Sequence, residues 1–355
     1  MKTAQILFLS LITTMVISSC SKDDNEPGEN PKVTTGVFTL SEGPFGQAAT
    51  TLTFYNPVTN TASTDFYENA NNSSLESLGN DMIIYGSKMY IVVNVGSSLT
   101  VADAKTAKLI QNIPFETPGG DKLEPRYVVP YKGKVLVSSW DGTVAVIDTV
   151  SLTISKFITV GANPEQMAVV GDKLYVANSG GLQAVMDSTV SVVDLISMSE
   201  TSKIVVGVNP NYIVADNNGS IYVASTGNYW DIGPKLTKIN TANNTITKVA
   251  DTAVAKMAFH DGLLYTTGGY LGSQFVRTLN TTDFAATSPN FVTDGTAITQ
   301  AYGITVDPQN NDVYVTDAKN FMGSGEVFCF DKNGKKKFSF PVAPGIGPNT
   351  VILVK

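Results

Sequence analysis

The chain has 355 residues, 43% of them hydrophobic and 15% charged, with a net charge of −7, two cysteines and one histidine. The acidic balance disfavours a phosphate backbone as partner, so no nucleic-acid role is expected. A lone histidine leaves no His-based metal cluster or His-carboxylate pair, and neither a metal site nor catalytic residues are predicted.

The chain opens with Met1-Lys2 and an apolar run from Ile6 to Ile17. That run is too short for a good membrane span and reads as a signal peptide over residues 1–19. It ends in Ile17-Ser18-Ser19-Cys20, which resembles the lipobox of bacterial lipoproteins. The resemblance implies cleavage before Cys20 and acylation of that residue, which anchors the protein without a spanning helix. Loss of Lys2 with the leader takes the net charge to −8. Lys22-Asp23-Asp24 resembles the export tag with which one Gram-negative phylum sends lipoproteins to the outer leaflet of its outer membrane. Residues 20–32 have no apolar anchor and are expected to form a flexible tether, with the folded part spanning 33–355.

From Val33 onward the chain repeats itself. A Leu-Tyr-Val-like strand recurs as Met89-Tyr90-Ile91-Val92, Val135-Leu136-Val137, Leu174-Tyr175-Val176, Ile221-Tyr222-Val223, Leu264-Tyr265-Thr266 and Val313-Tyr314-Val315. Successive copies lie 39 to 49 residues apart. Each follows an apolar run and a tight turn. A third run such as Ala145-Val146-Ile147-Asp148 and a fourth such as Ser155-Lys156-Phe157-Ile158 come after it. Four antiparallel strands at this period predict a β-propeller blade. Six units are complete. The N-terminal unit has a second strand (Val37 to Gly43), a third (Leu52 to Asn56) and a fourth (near Ala62 to Phe66), but no first. Gly347 to Leu353 parallels the first strand beginning at Gly161. The prediction is an all-β, seven-bladed β-propeller whose C-terminal strand completes the N-terminal blade, a closure that leaves no open sheet edge.

Strands packed between neighbouring blades are buried on both faces, so their tyrosines and valines are assigned to the core, with Cys329 as a small strand residue. The repeat also resembles the YncE-like seven-bladed propellers, through Val160-Gly161-Ala162-Asn163-Pro164 and Leu174-Tyr175-Val176-Ala177-Asn178. Propellers host enzymes, scaffolds and binders, so the fold alone names no function.

One end of the disc carries the longer loops, those between the second and third strands and those leading into each new blade. Function is sought there. The candidate ligand-binding residues are Phe45, Trp140, Tyr229, Trp230, Tyr270 and Phe321, with Arg126, Tyr127 and Tyr302 at the starts of blades. Rings of this kind bury ~150–250 Å² each and, together with amides, suit a large, flat, mostly neutral ligand. His260 lies in a turn at the opposite end.

A propeller on a lipid anchor with a surface-export tag is similar to the surface lipoproteins that capture cobalamin for a TonB-dependent importer. That resemblance implies a corrinoid as ligand rather than cofactor, and a TonB-dependent transporter as partner. It also implies an outer-membrane location facing the cell exterior, with membrane contact through the lipid alone. Two alternatives stay open: a surface glycan-binding or adhesin-like module, and a carboxylate-metal lactonase using Glu42, Asp141, Asp231 or Asp317.

Overall fold

Seven four-stranded antiparallel sheets are arranged around one axis in the computed structural model, which describes residues 33–44, 50–268 and 274–355. The signal peptide, Cys20 and the tether lie outside the described residues, as do Phe45 and Tyr270. No helix among the described residues is long and apolar enough to cross a membrane. The innermost strands are Pro348–Val354, Gly79–Tyr85, Pro125–Tyr131, Pro164–Val170, Pro210–Ala215, Met257–His260 and Ala301–Val306. Each touches the next, and the last touches the first, so the ring is closed. The C-terminal strand pairs with Gly36–Ser41 in the first blade, with Val37 opposite Leu353 and Thr39 opposite Val351.

Alternation on these strands sends side chains to both neighbouring blades, and apolar contacts form between blades rather than within them. Tyr175, Val190 and Val192 of the fourth blade pack with Ile213, Ile221 and Val223 of the fifth. The central tyrosines Tyr90, Tyr175, Tyr222 and Tyr314 are fully buried. Cys329 is buried too, and desolvation pushes its thiol up to about 12.

The fourth strand of the first blade is shorter than expected. It covers Thr61–Ser63, and the chain then turns through Asp65 (φ 51°) into a short helix, Phe66–Asn71. Phe66 packs on Phe38 and Phe54 with ring centroids 5.6 and 5.3 Å away, and Tyr67 is buried. This aromatic cluster takes the chain out of the sheet plane.

The closure has a polar clamp. Asp307 is wholly buried and accepts hydrogen bonds from Lys355 Nζ (2.6 Å to each carboxylate oxygen) and Thr34 Oγ1 (2.6 Å). The clamp ties both ends of the propeller to the seventh blade. Burial pushes the Asp307 carboxyl upward, but the bonds from Lys355, Thr34 and the Gln309 amide outweigh it, leaving it below the usual range. Its stabilisation is therefore present above the unfolded carboxylate pKa of ~3.9 and is lost as pH falls through the lower folded value. Asp307→Asn is expected to cost about 2 kcal/mol at neutral pH in urea unfolding. The gap to wild type should narrow below about pH 4; an equal gap at pH 7 and pH 3 would contradict this.

Candidate functional site

The innermost strands begin with an irregularity that positions the site. Register shifts separate Pro125 from Val128, Pro164 from Met167, Pro210 from Tyr212, Ala301 from Gly303 and Gly79 from Asp81. A bulge of this kind re-aims a side chain that a regular ladder would hold against the neighbouring sheet. Proline suits the first position because it has no N–H to pair. Asn163 and Asn209, just before two of these prolines, hold the left-handed conformation (φ 44° and 57°), which asparagine tolerates. The bulged residues Arg126, Glu165, Asn211 and Tyr302, with Lys256 at the start of the sixth blade, line a funnel of about 330 Å³. Tyr127, Trp140, Asn163, Asn209, Tyr212 and Tyr229 complete most of its wall.

The polar side chains are linked in a chain that crosses blades. Tyr302 Oη donates to Glu42 Oε1 (2.8 Å), which also accepts from Asn349 Nδ2 (2.9 Å). The same amide nitrogen donates to the carbonyls of Gly79 and Asn80. Asn80 exchanges hydrogen bonds with Arg126, accepting from its guanidinium and donating to its carbonyl. Arg126 Nε donates to Glu165 Oε2 at 2.9 Å, and Trp140 Nε1 donates to Glu165 Oε1 at 2.9 Å. The guanidinium also lies 4.4 Å from the centre of the Trp140 ring. Arg126 thus has a hydrogen bond, an ion pair and a π face, the combination that planar guanidinium chemistry favours.

On the fifth and sixth blades the pattern changes. The Lys256 ammonium sits 5.5 to 5.7 Å from the ring centres of Tyr127, Tyr212 and Tyr302. Desolvation raises all three phenols, Tyr212 to about 12, so they stay neutral hydroxyls at physiological pH. Asp81, on the second inner strand, accepts from the Val128 amide at 3.0 Å. Burial pushes its carboxyl up to about 6, against the Val128 amide and the fields of Lys256 and Arg126.

The structure sorts the predicted residues. Arg126, Tyr127, Trp140, Tyr229 and Tyr302 meet at one funnel. Phe321 stands beside it, edge-on to Tyr302 at 4.9 Å. Trp230 does not join them: it is 93% exposed and outside the funnel wall. Asn228 Oδ1 accepts from the amides of Trp230, Asp231 and Ile232, folding the loop tightly. Tyr229 is drawn back to Asn209 Nδ2 (3.0 Å), and its neighbour turns outward. Glu165, Asn211, Tyr212 and Lys256 also line the funnel, the first three from the blade-entry loops that the sequence places at this end. Their signal was positional, since each is within two residues of the start of an innermost strand. His260 bonds Asn311 Oδ1 in the turns at the far end.

The carboxylates considered for metal chemistry serve separate loops. Asp317 accepts the amides of Thr299, Gln300 and Lys319, Asp231 accepts from Asn228, and Asp141 holds Thr143. Among the described residues no three His, Cys, Asp or Glu side chains converge as a metal cluster.

Residues 35–345 match the family model described as a domain of unknown function, DUF5074. No curated protein sequence matches the chain. Several solved structures share the propeller. A quinoprotein alcohol dehydrogenase-like protein from Bacteroides thetaiotaomicron superposes with a TM-score of 0.65 at 17% identity, over 90% of this chain and 78% of the other. Hydrazine synthase from Kuenenia stuttgartiensis gives 0.60 at 17% identity, over 72% and 77%. A dihydro-heme d1 dehydrogenase gives 0.59 at 12% identity, over 92% and 77%. At these identities the likeness is one of fold.

Proposed function

The chain belongs to the DUF5074 family, and from that footing we propose that it is a non-catalytic surface lipoprotein. In this reading it captures cobalamin or a related corrinoid and passes it to a TonB-dependent transporter. The observation that carries the ligand reading is the composition of the funnel. Trp140, Tyr127, Tyr212, Tyr229 and Tyr302 share one mouth with the amides of Asn163, Asn209 and Asn211. A corrin is wide, nearly flat and fringed with amide groups, so it offers apolar faces to the rings and hydrogen-bonding edges to the asparagines. A funnel of about 330 Å³ is far too small to enclose it. The macrocycle therefore lies across the mouth, and one peripheral arm descends. The dihydro-heme d1 dehydrogenase among the neighbours provides a precedent for a propeller that acts on a flat macrocycle. The anchor, the surface location and the transporter rest on Cys20 and Lys22-Asp23-Asp24.

A glycan-binding reading has one observation in its favour, the exposed platform of Trp230. Calorimetric titration separates the two. The corrinoid reading predicts one site for cyanocobalamin with micromolar affinity or better, weakened about tenfold or more by Trp140→Ala and unchanged by Trp230→Ala. Absence of binding at micromolar concentration, with glycan binding that Trp230→Ala abolishes, would establish the alternative.

A further inference from the structure

The hydrogen-bonded chain at the mouth runs from Tyr302 on the seventh blade to Glu165 on the fourth, and it stops there. On the next two blades, two funnel-lining residues among those described, Lys256 and Asn211, present a donor and an acceptor without a hydrogen-bond partner. Lys256 Nζ rests on three tyrosine rings and donates to no oxygen among the described residues. Asn211 Oδ1 is buried and accepts no hydrogen bond from the described residues. Both residues line the same funnel, and Tyr212, next to Asn211 in sequence, forms one wall of the Lys256 cage. A buried acceptor without a partner costs about 1–3 kcal/mol, so a ligand that satisfies it gains that amount of affinity.

We propose that Lys256 and Asn211 together form a subsite for a primary carboxamide, with the ammonium donating to its carbonyl oxygen and Asn211 Oδ1 accepting from its N–H. This rests on the corrinoid reading and assigns the arm that enters the funnel. The chemistry selects among the possible groups. A carboxylate would satisfy Lys256 but set a second oxygen against Asn211 Oδ1, in a mouth whose wall already carries Glu165. A cation would satisfy Asn211 and meet Lys256. A carboxamide presents one acceptor and one donor side by side, matching both. The tyrosine rings hold the ammonium without taking its hydrogen bonds, so it stays available to the ligand.

The test titrates the purified protein with cyanocobalamin and with each of its monocarboxylic acids, in which one peripheral amide is hydrolysed. Wild type is expected to bind one of the acids at least about tenfold more weakly than the parent. Asn211→Leu should narrow that difference. Lys256→Met should weaken the parent by about 10–30-fold, as for a lost charged hydrogen bond. Lys256→Gln, which keeps a donor, should recover part of the loss; melting curves of all variants control for folding. Parent binding unchanged in both Lys256→Met and Asn211→Leu would overturn the subsite while leaving the corrinoid reading intact. An acid that binds wild type more tightly than the amide would replace it with an anion subsite. Failure of wild type to bind any corrinoid would remove both readings together.

Discussion

Deletion of residues 346–355 is expected to abolish the cooperative unfolding transition or to lower Tm by more than about 10 °C, although only a short C-terminal segment is removed. The strand Pro348–Val354 is the innermost strand of the first blade and makes contacts on both sides. It pairs with Gly36–Ser41 along its length. Its carbonyls at Pro348 and Val351 accept from Thr316 Oγ1 (2.6 Å) and Thr305 Oγ1 (3.1 Å) of the seventh blade, while Asn349 reaches the second. Val351 is buried, and Ile352 and Leu353 are partly so. At about 1.5–3 kcal/mol for each fully buried side chain, the three contribute roughly 5 kcal/mol. That is as large as the net stability of many whole domains. The deletion also exposes the edge of the Gly36–Ser41 strand and releases the Asp307 clamp. Circular dichroism melting decides the matter, and a Tm within about 2 °C of wild type would contradict the closure argument.

Arg126→Met is expected to cost about 3 kcal/mol of stability, well beyond the value of a surface ion pair. The Arg126 and Glu165 side chains are only 17% and 10% exposed, so removing the arginine leaves a carboxylate poorly solvated with Trp140 as its one remaining partner. Asn80 loses its donor in the same step. The companion variant Arg126→Met/Glu165→Met should recover much of the loss, because no unpaired charge then remains. Urea unfolding of the two singles and the double closes the cycle. Strict additivity would show that the pair does not act as a unit.

The fold was legible because its signal is redundant. The Leu-Tyr-Val strand, the turn before it and the Asp-ended third run recur together, and each repeat corroborates the others. The missing first strand and the extra last one together point to closure. The fourth strand of the first blade ends sooner than its sequence suggests, because Phe66 and Tyr67 suit a strand as well as the helix in which Phe66 packs on Phe38 and Phe54. The site was legible in part. Arg126, Tyr127, Trp140, Tyr229 and Tyr302, which residue type and loop position single out, meet at one funnel. Glu165 and Asn211 lie in blade-entry loops that the sequence places at the mouth end, but an ordinary polar residue near a turn carries no chemical mark that singles it out, and the same holds for Lys256. For Glu165 and Asn211 it is the bulge at the start of an innermost strand that makes the position special, whereas Lys256 precedes a regular strand and lacks the preceding proline. Trp230 lies outside the funnel wall. Adjacent residues of a tight loop point in opposite directions, and sequence does not say which one faces the mouth.

The central claim is that the funnel between Arg126 and Tyr302 receives a corrinoid. Crystals of the protein grown with saturating cyanocobalamin allow the cobalt to be located by its anomalous scattering. The account predicts one cobalt peak over the funnel mouth, above Trp140 and Tyr212, with the corrin ring spanning the aromatic rim. A cobalt peak at the opposite end of the channel beside His260, or no peak at all, would contradict it.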